Sequence, residues 1–195
     1  SYIGVNRNFS EKMARKVLRK NYELKAIDVT KDVYNEFKDY SNIDKMQAID
    51  INFWLMKDIL LKADRMTMAS SIEGRVPFID KEVFSVASKL PFNYKVTKEN
   101  TKVALREAAR KVIPTDAYKK KKLGFPVPIR EWIKDGAFKE DIEKTINSDV
   151  ANKYFNVKFL NKLFNEHISG KKDNYRKIWT VYTFIKWYQV FFEGE

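Results

Sequence analysis

Apolar residues recur along this chain at three- and four-residue intervals, the period of helices with one buried face. Ser10 is placed to cap a helix to about residue 21, with Phe9, Met13, Val17 and Leu18 on its apolar side. Thr30 is placed to cap a second, carrying Val33, Tyr34 and Phe37. A long third helix is predicted from near Ile43. Its apolar positions Met46, Ile49, Phe53, Met56, Leu60 and Ala63 step by 3, 4, 3, 4 and 3, the spacing of a buried helix, and Gly74 followed by Pro77 is the expected stop. Asp80 caps a short helix over 81–89, ended by Pro91. An extended turn is expected over 93–97. Thr101 is placed to cap a helix to residue 111, stopped at Pro114, and 115–128 reads as an ordered irregular loop. Further helices are predicted near 129–133, 138–146 and 157–168, the last ended by Gly170, with a closing helix from about 175 to 192. No alternation of strand and helix signals appears, so the chain is read as mainly α, a single helical region over 1–195.

Composition narrows the chemistry. An apolar fraction of 44% with 14% aromatics is that of a globular protein, and 195 residues suffice for a sizeable core. There are no cysteines and one histidine, His167, which leaves no material for thiolate metal sites, thiol nucleophiles or a multi-histidine centre, and no metal ligands are assigned. The absence of cysteine is compatible with a cytoplasmic location. The most apolar stretch, 178–192, is too short and too polar for a membrane span. The formal charge of +12 favours anionic partners: nucleic acid, an acidic surface or a phosphate-rich ligand.

Several constellations bear on which anion. Asp58, Lys62 and Arg65 lie at i, i+4 and i+7, which puts a carboxylate and two cations on one helical face. That is either an active-site wall or a solvated ladder. Glu73, Gly74 and Arg75 form either a local ion pair fixing the turn into Pro77 and Phe78, or, through Arg65 and Arg75, a forked phosphate contact. Lys102 and Arg106 share a helical face and are either surface groups or anion ligands. The segment 118–128 is the leading functional candidate. Its four consecutive lysines, 119–122, repel one another and need solvent or an anion to offset them. Gly124 permits a tight turn, and Pro126 and Pro128 stiffen the exit. His167, in the last turn of its helix, is read as structural.

Two of these segments carry a resemblance. The first is Asp64-Arg65-Met66-Thr67-Met68-Ala69-Ser70-Ser71-Ile72-Glu73-Gly74-Arg75-Val76-Pro77-Phe78-Ile79-Asp80. The second, about fifty residues on, is Lys119-Lys120-Lys121-Lys122-Leu123-Gly124-Phe125-Pro126-Val127-Pro128. In this order, with Thr101-Lys102-Val103-Ala104-Leu105-Arg106 between them, they resemble the C-terminal part of the synthetase domain of glutamine-dependent asparagine synthetases. The spacing of Trp179, Phe184 and Trp187 is similar to that family's closing helix.

The resemblance implies the helical C-terminal portion of an α/β ATP-pyrophosphatase-like domain, without its nucleotide-binding sheet. It implies ATP and Mg²⁺ as cofactors of the full-length enzyme, none of them expected on this piece alone. The implied reaction activates aspartate as a β-aspartyl-adenylate, which ammonia released from glutamine converts to asparagine. By position, Lys122 and Asp58 are implied as catalytic. Lys62, Arg65, Arg75, Lys102, Arg106 and Lys120 are implied on the substrate and phosphate side, and Glu73, Gly74, Pro77, Gly124 and Phe125 as structural. The family's arginine earlier in the second segment is Lys120 here. The family's glutaminase, its Ser-Gly-Gly-x-Asp-Ser pyrophosphate loop and its Gly-Asp-Glu segment do not occur, so a C-terminal fragment is expected, inactive alone and prone to self-association through an apolar face. The alternatives are a related ligase acting on another carboxylate, as in β-lactam synthetase, lasso-peptide cyclization or polysaccharide amidation, and a free-standing basic helical module for nucleic acid or protein.

Overall fold

Helices of fourteen and twelve residues, Tyr175–Tyr188 and Val157–Ile168, are the longest regular α-helical stretches of a computed structural model that describes the chain except residues 1, 5–7, 21, 24, 122, 123, 125, 126 and 195. In chain order the helices are α1 (Glu11–Val17), α2 (Ala26–Glu36), α3 (Asn42–Ile49), a π-helical segment (Asp50–Leu60), α4 (Leu61–Met68), a 3₁₀ turn (Pro77–Ile79), α5 (Lys81–Ser88), α6 (Phe92–Lys95), α7 (Val103–Ala109), α8 (Thr115–Lys119), α9 (Ile129–Trp132), α10 (Gly136–Ile146), α11 (Asp149–Tyr154), α12 (Val157–Ile168), α13 (Tyr175–Tyr188) and a closing π-helical turn (Gln189–Glu193). Among the described residues β-pairing is limited to isolated bridges, Leu18 with Phe155 and Val96 with Thr101. The mainly α expectation holds.

The chain divides into two compact units, 1–62 with 127–195, and 63–126. The first has the core. Val17, Ile142, Ile146, Leu160, Phe164, Ile178 and Ile185 belong to one buried cluster contributed by α1 and α10 to α13. The pattern explains it: Leu160, Leu163, Phe164 and His167 recur on one face of α12, and Ile178, Val181 and Ile185 on one face of α13. Caps fix the ends. The Asn156 side chain accepts from the Phe159 amide at 3.1 Å, and that of Ser148 from the Ala151 amide at 3.3 Å. Gly170, at φ +71°, turns the chain after α12. Buried Asn174 then donates to the Leu163 carbonyl and the Glu166 carboxylate, joining α12 to the start of α13.

Two polar clusters tie further elements to this unit. His167 is buried, and its Nε2 lies 3.0 Å from the Arg130 carbonyl; a carbonyl only accepts, so Nε2 carries the proton. Its Nδ1 faces Asp173, which also pairs with the Arg130 guanidinium at 2.8 Å, so α9 is held to the α12–α13 turn. At the N-terminal side, the Tyr2 hydroxyl donates to both Asp50 carboxylate oxygens at 2.8 Å. Burial and that bond push the Tyr2 phenol up to about 12.

The second unit differs in kind. None of its described residues is buried, and Met66, Phe78, Val86 and Val112 are 65%, 67%, 68% and 81% exposed. It consists of short elements: α4 to α8, the 3₁₀ turn and the Val96–Thr101 bridge.

Several boundaries differ from those read in the sequence. α1 stops at Val17, because Leu18 turns extended to pair with Phe155. Thr30 is buried inside α2 rather than at its cap; its hydroxyl donates back to Ile27, and Lys25 holds the cap position. The third helix ends at Met68, six residues before Gly74, and the left-handed residue that follows is Ser71 at φ +55°. Its predicted buried stripe survives at Ile49, fully buried, while Met46 and Met56 are 39% and 56% exposed. Residues 92–95 form a helical turn where an extended turn was expected. Thr101 pairs with Val96, and Lys102 caps α7. Residues 115–119 are helical, and α11 had no counterpart in the reading.

Phe164 is 1% exposed at the centre of the core, so Phe164→Ala should cost about 3–5 kcal/mol by urea unfolding. A second expectation concerns Asp141, which accepts from the Tyr182 hydroxyl and, at 2.9 Å, from Lys186. Partial burial acts to raise its pKa, but these two donors outweigh it and hold the carboxyl below the usual range. The unfolded chain therefore binds this proton more readily than the folded one. Its stabilising contribution is present above the ordinary carboxylate pKa and is lost as pH falls through the folded value. Asp141→Asn should lower Tm at pH 7, modestly because the pair is partly exposed, and the gap should close in acid.

Candidate functional site

The sequence-flagged residues fall in both units. In the first, Asp58 stands near the end of the π-helical segment and pairs with Lys62 at 4.0 Å, both more than half exposed. This is a loose, solvated contact, of the kind that contributes little to stability. A π-helical run of eleven residues is unusual, since π-helix occurs mostly as single-turn bulges within α-helices. Two clefts also open in this unit away from any flagged residue. One, of about 310 Å³, is polar and lined by Asn8, Arg130, Asp173, Arg176 and Lys177. The other, of about 390 Å³, is apolar, between Phe9, Leu18, Tyr154 and Phe184.

In the second unit Arg65 lies exposed on α4. Glu73 and Arg75 pair at 3.0 Å with both side chains largely in solvent, the local ion pair that one reading of this turn expected. Gly74 lies against the Thr67 side chain; a Cβ there would come to 3.5 Å of its hydroxyl oxygen. Pro77 opens the 3₁₀ turn, where its fixed φ suits the first position. Asp80 closes that turn and caps α5, accepting from the Glu82 and Val83 amides.

Lys102 is one of two non-glycine residues with positive φ among those described, at φ +58°. Such a backbone costs free energy and marks positions that surrounding structure holds in place. Here the chain has just made a tight turn: the Thr97 amide donates to the Asn100 carbonyl at 2.7 Å, and Val96 bridges to Thr101. One helical turn later, Arg106 Nε donates to the Thr101 carbonyl at 3.0 Å. Its Nη1 donates to the carbonyls of Tyr118 and Lys120. The structure therefore brings Arg106 and Lys120 together through backbone, and it directs the guanidinium at carbonyls. Neither the strained Lys102 nor this grip was read from the sequence; a Lys-x-x-x-Arg spacing gives a shared face but not what the face meets.

Lys119 lies over the Tyr118 ring at 5.9 Å, and Lys120 caps α8 and leaves it in extended conformation. Lys121 and Gly124 are exposed. Lys122 and Phe125 lie outside the described residues. Among the described residues no three His, Asp or Glu side chains group as a metal site, and no helix is long and apolar enough to cross a membrane. The charged side chains flagged here are mostly cations, the groups that pair with phosphate oxygens.

The family model described as asparagine synthase matches residues 3–189. The chain is similar to asparagine synthetase [glutamine-hydrolyzing] 1 of Bacillus subtilis strain 168, at 44% identity over 97% of the chain and 30% of that protein. It is 41% identical to a putative asparagine synthetase [glutamine-hydrolyzing] of Mycobacterium bovis, over 98% of the chain and 30% of that protein. A third relative, asparagine synthetase [glutamine-hydrolyzing] 3 of B. subtilis, is 32% identical over 42% of the chain. The chain thus spans about a third of the length of the curated relatives it matches over nearly its whole extent. No solved structure gives a significant match. On the match over 187 of 195 residues, 3 through 189, the chain belongs to the asparagine synthase family.

Proposed function

We propose that this chain is the C-terminal segment of a cytoplasmic, glutamine-hydrolysing asparagine synthetase, and that it supplies cationic groups to the ATP-dependent amidation of aspartate through a β-aspartyl-adenylate. The observation that carries the reading is the near-complete match to proteins of that name. The exposed cations of 63–121, in a unit with no buried residue among those described, support it.

The chemistry assigns the charges a task. Attack of the aspartate side-chain carboxylate on the α-phosphorus of ATP gathers negative charge as pyrophosphate leaves. Fixed cations that meet this charge where it develops stabilise the transition state more than the ground state. Mg²⁺ would accompany the nucleotide and share that neutralisation. Its ligands and the cradle for pyrophosphate would come from the rest of the enzyme, as would the ammonia from glutamine. In this segment Lys122 is the principal group, by its place two residues before Gly124. Lys62, Arg65, Arg75, Lys102 and Lys120 are secondary cations. Asp58, loosely paired with Lys62, is proposed to keep that ammonium oriented.

In the full-length enzyme, Lys122→Ala should lower ATP–pyrophosphate exchange by on the order of 10² to 10³, the scale of one preorganised charge contact. Lys119→Ala and Lys121→Ala, at exposed and screened positions, should each change it by less than about tenfold. Equal and small effects from all three would reduce the segment to a generic basic patch. The chain of 195 residues by itself should release no pyrophosphate from ATP in the presence of aspartate and ammonia. Turnover above a no-enzyme blank, abolished by Lys122→Ala, would show that the segment is catalytically sufficient.

A further inference from the structure

We propose that Arg106 is a positioning residue for the lysine segment, fixing where the chain leaves α8, and that it is not itself a phosphate ligand. The inference rests on the reading above for why that segment matters, and on geometry alone for what Arg106 does.

The guanidinium is committed to backbone. Nε donates to the Thr101 carbonyl at 3.0 Å, and Nη1 to the carbonyls of Tyr118 and Lys120, the latter also at 3.0 Å. A guanidinium has five N–H groups in a planar fork, and a bidentate phosphate contact needs two neighbouring nitrogens along one edge. With the Nε proton and both Nη1 protons engaged, each edge that includes Nη2 has lost its other member. Arg106 therefore has no complete fork to offer an oxyanion.

The three carbonyls are well chosen for control of direction. Tyr118 lies in the last turn of α8, and Lys120 is its C-cap, already extended at φ −55° and ψ 130°. The grip thus spans the residues where helix becomes loop. Carbonyls at a helix C-terminus lack intrahelical donors and carry partial negative charge, so a cation is the favoured partner. The other end of the grip is equally fixed. Thr101 is paired with Val96, and Lys102 holds its left-handed backbone directly before α7. The Arg106 amide donates to the Lys102 carbonyl at 2.9 Å, which sets the guanidinium one turn along from the strained residue. The strain at Lys102 thereby gains a consequence: it sets the direction in which α7 starts, and hence where Arg106 can reach. This segment carries three like charges at 119–121, which favour its straying from any single course. A donor that binds its carbonyls fixes the backbone without neutralising the side chains.

Two arms test the proposal. The first uses the 195-residue chain and reads tryptic cleavage after Lys119, Lys120 and Lys121, with sites in α12 as internal control. Arg106→Lys keeps the charge but replaces the planar fork with a point donor; it should speed cleavage in 119–121 by about tenfold and leave α12 unchanged. Arg106→Gln should do the same or more, and circular dichroism at the wild-type value confirms that either variant is folded. The second arm measures ATP–pyrophosphate exchange in the full-length enzyme. Both variants should lower kcat by on the order of 10 to 10² while KM for ATP stays within about threefold, the signature of lost positioning rather than lost binding. Wild-type cleavage rates in both variants would overturn the proposal. So would a raised KM for ATP with kcat intact and full rescue by lysine, which would make Arg106 a phosphate ligand. If the wild-type enzyme shows no exchange at all, the functional reading fails, while the cleavage arm still decides what Arg106 does.

Discussion

Ile178, Val181 and Ile185 follow one another at three- and four-residue steps along α13, at 3%, 3% and 0% exposure, and they pack against α10, α11 and α12. Much of the first unit's organisation depends on that stripe. Burial of apolar surface is the main driving force available to a small helical bundle, at roughly 25 cal/mol per Å² removed from water. On either side of that stripe α13 carries aromatic and polar groups that extend the contact sideways. Trp179 stacks with Tyr182, whose hydroxyl holds Asp141 of α10, and Phe184 meets Tyr154 and Phe155 edge-on. The closing helix thus serves as a packing surface for this unit.

The second unit has no comparable stripe, and its described order comes from capping, turns and one arginine. Asp80 caps α5, Ser71 and Lys102 accept left-handed backbones, and Arg106 joins Thr101 to the end of α8. Each of these is a local hydrogen-bond solution. Local solutions define a path for the chain without adding the area that would make the unit stable by burial.

This difference explains what was legible in the sequence. The helix at 157–168 was placed to the residue, because its apolar face is buried, Asn156 caps its start and Gly170 ends it: period, cap and stop agree. The stretch at 42–68 had the same period but a different outcome. Part of it is π-helical, its stripe is half exposed beyond Ile49, and a serine rather than the glycine provides the turn. Thr30 and Thr101 looked like caps by residue type; a buried hydroxyl bonding back one turn and a pairing with Val96 overrode that preference. α11 was missed because six residues are too few for a periodic signal. The family was legible through its two motifs. The contacts of Arg106 were not, since a sequence gives the spacing of a guanidinium from its helix and not the carbonyls that come within reach.

Packing constrains the two units unequally, and this bears on how the motif residues are to be understood. A buried Phe164 is explained by its neighbours. An exposed Arg65, Arg75 or Lys121 is not, since no core within this chain requires it and solvation alone would accept many residues there. The same holds for the apolar residues beside them: Met66, Phe78 and Val86 expose more than half their surface, which costs solubility without a return inside the unit. Cations and apolar groups thus stand exposed side by side on a segment shaped by strained backbone and a carbonyl-binding arginine, an arrangement that burial within the unit does not explain. The relatives are about three times as long as this chain, so burial inside these residues is not the measure by which such side chains are explained.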